Sequence, residues 1–213
     1  MWVSIGFWSA STRVVRLSRE LLVGAGVGSG VVRESDLDSC PLPDDPLLAE
    51  VASSLRDAGQ WVEIVDPDWR VVYTSDDFRF ARGFMVEPIP LVLGVHMFSE
   101  ENLAAQAQSS VGGSVIEVYR EFLASIGGWV LADTAGGRDA LRSIVDPRLR
   151  DVVDQLVETD RTTASTSVIG GIGVGSSRPA MDLSVSRIRD VDGRLAGTAI
   201  TEKPHLSMST LAT

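Results

Sequence analysis

The sequence predicts an α+β protein in the order helix, two strands, several helices and three strands. Three observations predict it. Two β-rich runs, Trp61–Asp66 and Trp69–Ser75, are joined across Asp66-Pro67-Asp68, where Pro favours a turn and the aspartates can bond their own backbone. Between residues 114 and 158 apolar residues recur at spacings of three and four. Near the end, Met181, Leu183 and Val185 alternate with Asp182, Ser184 and Ser186.

In chain order, Asp45 is an N-cap with Pro46 at the first helical position. Leu48, Val51, Leu55 and Ala58 then mark one apolar face, which Gly59 ends in a left-handed conformation. The hairpin follows. Asp76 to Pro90 has mixed composition and closes with Glu87-Pro88-Ile89-Pro90, which predicts an irregular connection. Glu100–Gln108 reads as a helix capped by Ser99. Ser114–Ile126 carries Val115, Val118, Tyr119, Phe122 and Ile126 on one face and is closed by Gly127-Gly128. Arg138–Glu158 keeps helical spacing but is broken at Asp146-Pro147, because Pro restricts the residue before it and favours a fresh helix start. Ser165–Gly170, Met181–Arg189 and Arg194–Thr201 are strands, the last two joined by Asp190-Val191-Asp192-Gly193, with Gly available for positive φ.

Composition narrows the function. A chain of 213 residues, 44% hydrophobic and 23% charged, suffices for one domain with a real core, and 20 Gly with 9 Pro are too few for low complexity. One cysteine, Cys40, excludes an internal disulfide and a multi-cysteine zinc site, and two histidines, His96 and His205, leave little for metal or imidazole chemistry. A formal net charge of −10 opposes phosphate contacts, so no nucleic-acid partner is expected. Residues 1–33 differ from the rest, holding four arginines against Glu20 alone. Their uncharged runs, Met1–Thr12 and Leu21–Val32, are each shorter than the roughly 20 apolar residues of a membrane span, and the arginines follow the first run where a signal peptide needs them before it. The reading is cytoplasmic, with no membrane partner. Residues 1–43 are taken as an extension or linker open to disorder, 44–204 as the domain, and 205–213 as a C-terminal connector stub.

The order helix, hairpin, helical insert and three-stranded meander, with Trp61-Val62-Glu63-Ile64-Val65-Asp66-Pro67-Asp68-Trp69-Arg70-Val71-Val72-Tyr73 and Ser186-Arg187-Ile188-Arg189-Asp190-Val191-Asp192-Gly193-Arg194-Leu195-Ala196-Gly197-Thr198, resembles a PAS domain. The resemblance implies a five-stranded antiparallel sheet with helices on one face. It also implies an enclosed cavity, which in some PAS domains binds a ligand, and here an enlarged helical insert between strands 2 and 3. A narrower resemblance, to the sensory regions that precede class III adenylate/guanylate cyclase catalytic domains in actinobacterial-type proteins, rests on three further runs. These are Asp45-Pro46-Leu47-Leu48-Ala49-Glu50-Val51, Gly197-Thr198-Ala199-Ile200-Thr201-Glu202-Lys203-Pro204 and Met208-Ser209-Thr210-Leu211. In such proteins the catalytic domain starts shortly after the equivalent of residue 213, so no cyclase residue is carried over and the chain resembles the regulator.

Other chemistry is weaker. Gly24–Gly30 and Gly170–Ser177 each carry serine where G-x-G-x-x-G needs its third glycine, and no Lys-Ser/Thr follows for a P-loop; a linker and an inter-strand loop explain them. No G-x-S-x-G elbow occurs. Cys40 precedes the domain, so it is not a flavin-adduct cysteine and reads as a spare surface or semi-buried thiol. His96 lies in the apolar run Leu91–Phe98, where a buried, hydrogen-bonded ring is the default and haem contact is disfavoured. The acids Asp36, Asp38, Asp44 and Asp45, and Asp66, Asp68, Asp76 and Asp77, lack calcium-loop spacing. His96, Tyr119, Phe122 and Trp129 are the ligand-pocket candidates, since pockets are apolar with a few polar handles. No catalytic residue, metal ligand or cofactor is assigned. The expected function is a sensory module, not itself an enzyme, with a small-molecule ligand, a cyclase or other output domain and a second copy of the chain as partners. The alternatives are a small-molecule enzyme on an α+β scaffold and a pure interaction module.

Overall fold

Asp45 accepts a hydrogen bond from the Leu48 N–H at 3.0 Å, and Pro46 opens helix α1, Pro46–Asp57, as its local chemistry dictates. Gly59 takes φ 67°, turning the chain into β1, Trp61–Val65, and the hairpin partner β2, Val71–Thr74. A computed structural model of the chain describes residues 39–82, 88–108, 115–159, 165–170 and 180–204. Expectations for residues 1–38 and 205–213, and for the glycine run beyond Gly170, lie outside the described residues.

Among the described residues five α-helices follow before the sheet resumes: α2, Asp76–Arg82; α3, Glu100–Gln108; α4, Val115–Asp133; α5, Gly137–Ile144; and α6, Arg150–Gln155. Ser99 caps α3 by accepting the Asn102 N–H. The break at Asp146-Pro147 is present: Asp146 caps a 3-10 turn, Pro147–Leu149, that separates α5 from α6. The chain then forms β3, Ser165–Gly170; β4, Ala180–Arg189; and β5, Leu195–Pro204. In the loop before β5, the Asp190 side chain accepts the backbone N–H groups of Asp192 and Arg194.

The described strands form one five-stranded sheet in the order β2-β1-β5-β4-β3, antiparallel throughout, so the protein is α+β. First and last strands lie side by side at its centre. Residues 94–97 run along the outer edge of the hairpin: Val71 of β2 donates to Val95 O and Met97 donates to Trp69 O just ahead of β2, both at 2.9 Å. The larger core joins the α4–α6 layer to Val65, Val71, Leu183, Val185 and Ile200 on one sheet face. The smaller core joins α1 to Val62, Ile64, Tyr73, Ile188 and Ala199 on the other. A bulge at Ile64/Val65 lets Val71 and Thr74 share the larger core's face while Tyr73 faces α1.

Several expectations are corrected. Residues 76–82 are a helix because Ser75 accepts the Phe78 N–H and two aspartates occupy its first turn, a start signal that outweighs mixed composition. Gly127 and Gly128 lie inside α4, which continues to Asp133. A Cβ at Gly128 would come within 2.6 Å of the Val157 carbonyl oxygen, so glycine admits the chain after α6 against the helix. Trp69 is outside β2, at φ 59° in the turn. Cys40 is buried in the smaller core, its Sγ accepting the Thr74 N–H at 3.4 Å, so the packed fold begins ahead of residue 44; burial pushes the thiol pKa up.

Candidate functional site

Strand alternation puts Glu63 of β1 and Glu202 of β5 on the face that meets the helices, on adjacent strands and offset by two residues, since Glu63 is opposite Ile200 and Glu202 opposite Trp61. Both carboxylates are buried. With Phe78 of α2, Tyr119 and Phe122 of α4, and Leu183 and Ile200, they line a cavity of about 10 Å³, room for about one water molecule. Thr74 donates to Glu63 at 3.5 Å. Phe98, just ahead of α3, packs against α4, 6.0 Å edge-on to Tyr119 and 5.7 Å from Phe122. Asn102 of α3 donates to Met97 O at 2.7 Å and approaches the Tyr119 hydroxyl at 3.5 Å.

A second buried polar group ties the helical layer to the sheet. Arg187 of β4 donates to both carboxylate oxygens of Asp133, at 2.6 and 2.8 Å, with side-chain exposures of 3% and 4%. The Trp69 indole N–H donates to the same Asp133 carboxylate at 3.0 Å. The group therefore joins the end of α4, the C-terminal part of β4 and the β1–β2 turn. Charge removed this far from water needs such bidentate geometry to be tolerated.

His96 belongs to a different place. It is opposite Arg70 in an isolated antiparallel bridge, so both side chains project to one side, into an open cleft of about 440 Å³ that Asp68, Ser99, Glu101, Thr134 and Ile144 also line. The ring is 6% exposed, and its Nδ1 accepts the Phe98 N–H at 3.3 Å. Burial, then the nearby Arg70 charge, pushes its pKa down to about 4, so the ring is neutral near pH 7.

The four sequence candidates are thus divided. Tyr119 and Phe122 line the small sheet–helix cavity, His96 lines the surface cleft, and Trp129 lines neither. Trp129 is buried in the larger core, with an indole N–H that has no hydrogen-bond partner among the described residues. Sequence reasoning passed over Glu63, Glu202, Asp133 and Arg187. Two of these had a signal: continuing the apolar positions 181, 183 and 185 lands on Arg187, and Glu63 stands among apolar neighbours in a strand covered on both faces. Among the described residues no three His, Cys, Asp or Glu side chains gather as a metal site, and no helix is long and apolar enough to cross a membrane. No protein-family model and no curated protein matches the chain.

Proposed function

We propose that the chain is a regulatory module of the PAS type, placed ahead of an output domain such as a class III nucleotide cyclase. The observation that carries this reading is the strand order β2-β1-β5-β4-β3, with the helices between β2 and β3 packed on one face and α1 on the other. In that arrangement the last described strand, β5, lies in the sheet centre between β1 and β4 and lines the small cavity through Ile200 and Glu202. A shift of α4 over the sheet acts on β4 through Asp133 and Arg187, and on β5 through the strand pairing and the cavity wall. A ligand or partner drives the shift by binding one packing better than the other. The small cavity supports a closed form in which α4 must move before anything larger than water enters.

The test is to fuse residues 1–213 ahead of a class III cyclase catalytic domain. Cyclic-nucleotide production should differ several-fold from that of the isolated catalytic domain, and deleting residues 205–213 should abolish the difference. Equal rates with and without the chain would refute the reading.

One observation favours the interaction-module alternative, with a second copy of the chain as partner. A groove of about 620 Å³ runs between residues 41–48 and the hairpin ends, lined by Leu42, Leu47, Val72, Leu93, Leu195 and Ala196, with Leu42 exposed. Native mass spectrometry separates the readings: dimers of bare polypeptide favour interaction, and added mass that is lost on denaturation favours the sensor.

A further inference from the structure

The cleft at His96 lies outside the sheet–helix cavity, and what it can bind follows from its own groups whether or not the regulatory reading holds. His96 accepts a backbone N–H at Nδ1, so the neutral ring carries its proton on Nε2. No described residue accepts that proton, which is left to the cleft the ring lines. The bridge to Arg70 sets a guanidinium beside it, steadied by donation from Arg70 Nη1 to Gly94 O at 3.0 Å. A neutral donor and a cationic donor on one side of a cleft suit a carboxylate. The same cleft is lined by Asp68, from the β1–β2 turn, and Glu101, from the first turn of α3. Two carboxylates against one guanidinium repel a simple anion, and the guanidinium repels a simple cation. Ile144, 42% exposed, adds an apolar wall.

We propose that this cleft binds a small zwitterion with the chemistry of a free α-amino acid. Arg70 and the His96 Nε2–H hold its carboxylate, Asp68 and Glu101 its ammonium group, and Ile144 an apolar side chain.

The test is isothermal titration calorimetry of the full chain with each standard free α-amino acid at millimolar concentration. The best binder is then compared with its deaminated and decarboxylated analogues. At least one amino acid should bind saturably, and both analogues should bind about tenfold more weakly or worse. Arg70→Met and Glu101→Gln, on exposed residues of different elements, should each weaken binding by about tenfold with unfolding curves unchanged. The proposal is overturned if no amino acid binds, if either analogue binds as well as its parent, or if both variants keep the parent affinity.

Discussion

Where α1 covers it, the sheet presents Val62, Ile64, Tyr73, Ile188 and Ala199. Facing the helical layer, it mixes Val65, Val71, Leu183, Val185 and Ile200 with Glu63, Thr74, Thr198, Glu202 and Arg187, all buried at the side chain. Burying a charge costs more than burying a methyl group, and a buried ion pair adds little stability over apolar residues of the same volume. The face against α1 demonstrates that these strands can be covered by apolar residues. On the regulatory reading proposed above, the polar groups under α4 serve a change of packing rather than stability.

The largest expected effect breaks the polar side of this comparison. Asp133→Ala strands the Arg187 guanidinium and the Trp69 indole N–H, and urea unfolding should lose about 3–5 kcal/mol. On the apolar side, Ile64→Ala should cost about 2–5 kcal/mol through its cavity, and no second substitution at a polar neighbour should rescue it.

The next effect depends on pH. His96 is held neutral when folded, with its pKa pushed down to about 4 from 6.5, so below pH 6.5 the unfolded chain binds the extra proton. Its contribution is complete above pH 6.5 and is lost as the pH falls towards 4, a drop of roughly 3 kcal/mol. Urea midpoints measured across that window should fall in the parent chain. They should fall less in His96→Asn, whose side-chain oxygen can still accept the Phe98 N–H without titrating. The smallest effect sharpens the apolar side: Asp45→Ala removes the α1 cap and should cost about 1 kcal/mol by the same measurement.

Much of the fold was legible because its signals are local. Asp45-Pro46, Asp146-Pro147 and the Asp190–Gly193 loop act within a few residues and are found where the sequence puts them. Gly127-Gly128 misled because glycine at a helix end and glycine under a crossing chain look alike until the segment after α6 is placed. The same limit applies to the sites. Arg187 interrupts a visible alternation, but its partner Asp133 depends on where the end of α4 lies over the sheet, which no spacing encodes. His96 stood out as a lone imidazole in an apolar run. Its separation from Tyr119 and Phe122 arises only because residues 94–97 pair with the β2 edge and present the ring to the cleft beside Arg70.

The claim that the buried polar group serves regulation is tested most directly by replacing it with apolar side chains, Trp69→Phe, Asp133→Leu and Arg187→Met together, in the chain fused to a cyclase catalytic domain. The account predicts an unfolding free energy equal to or above that of the parent, with cyclic-nucleotide production returned to the level of the isolated catalytic domain. A variant that stays folded and leaves production at the parent level would contradict it.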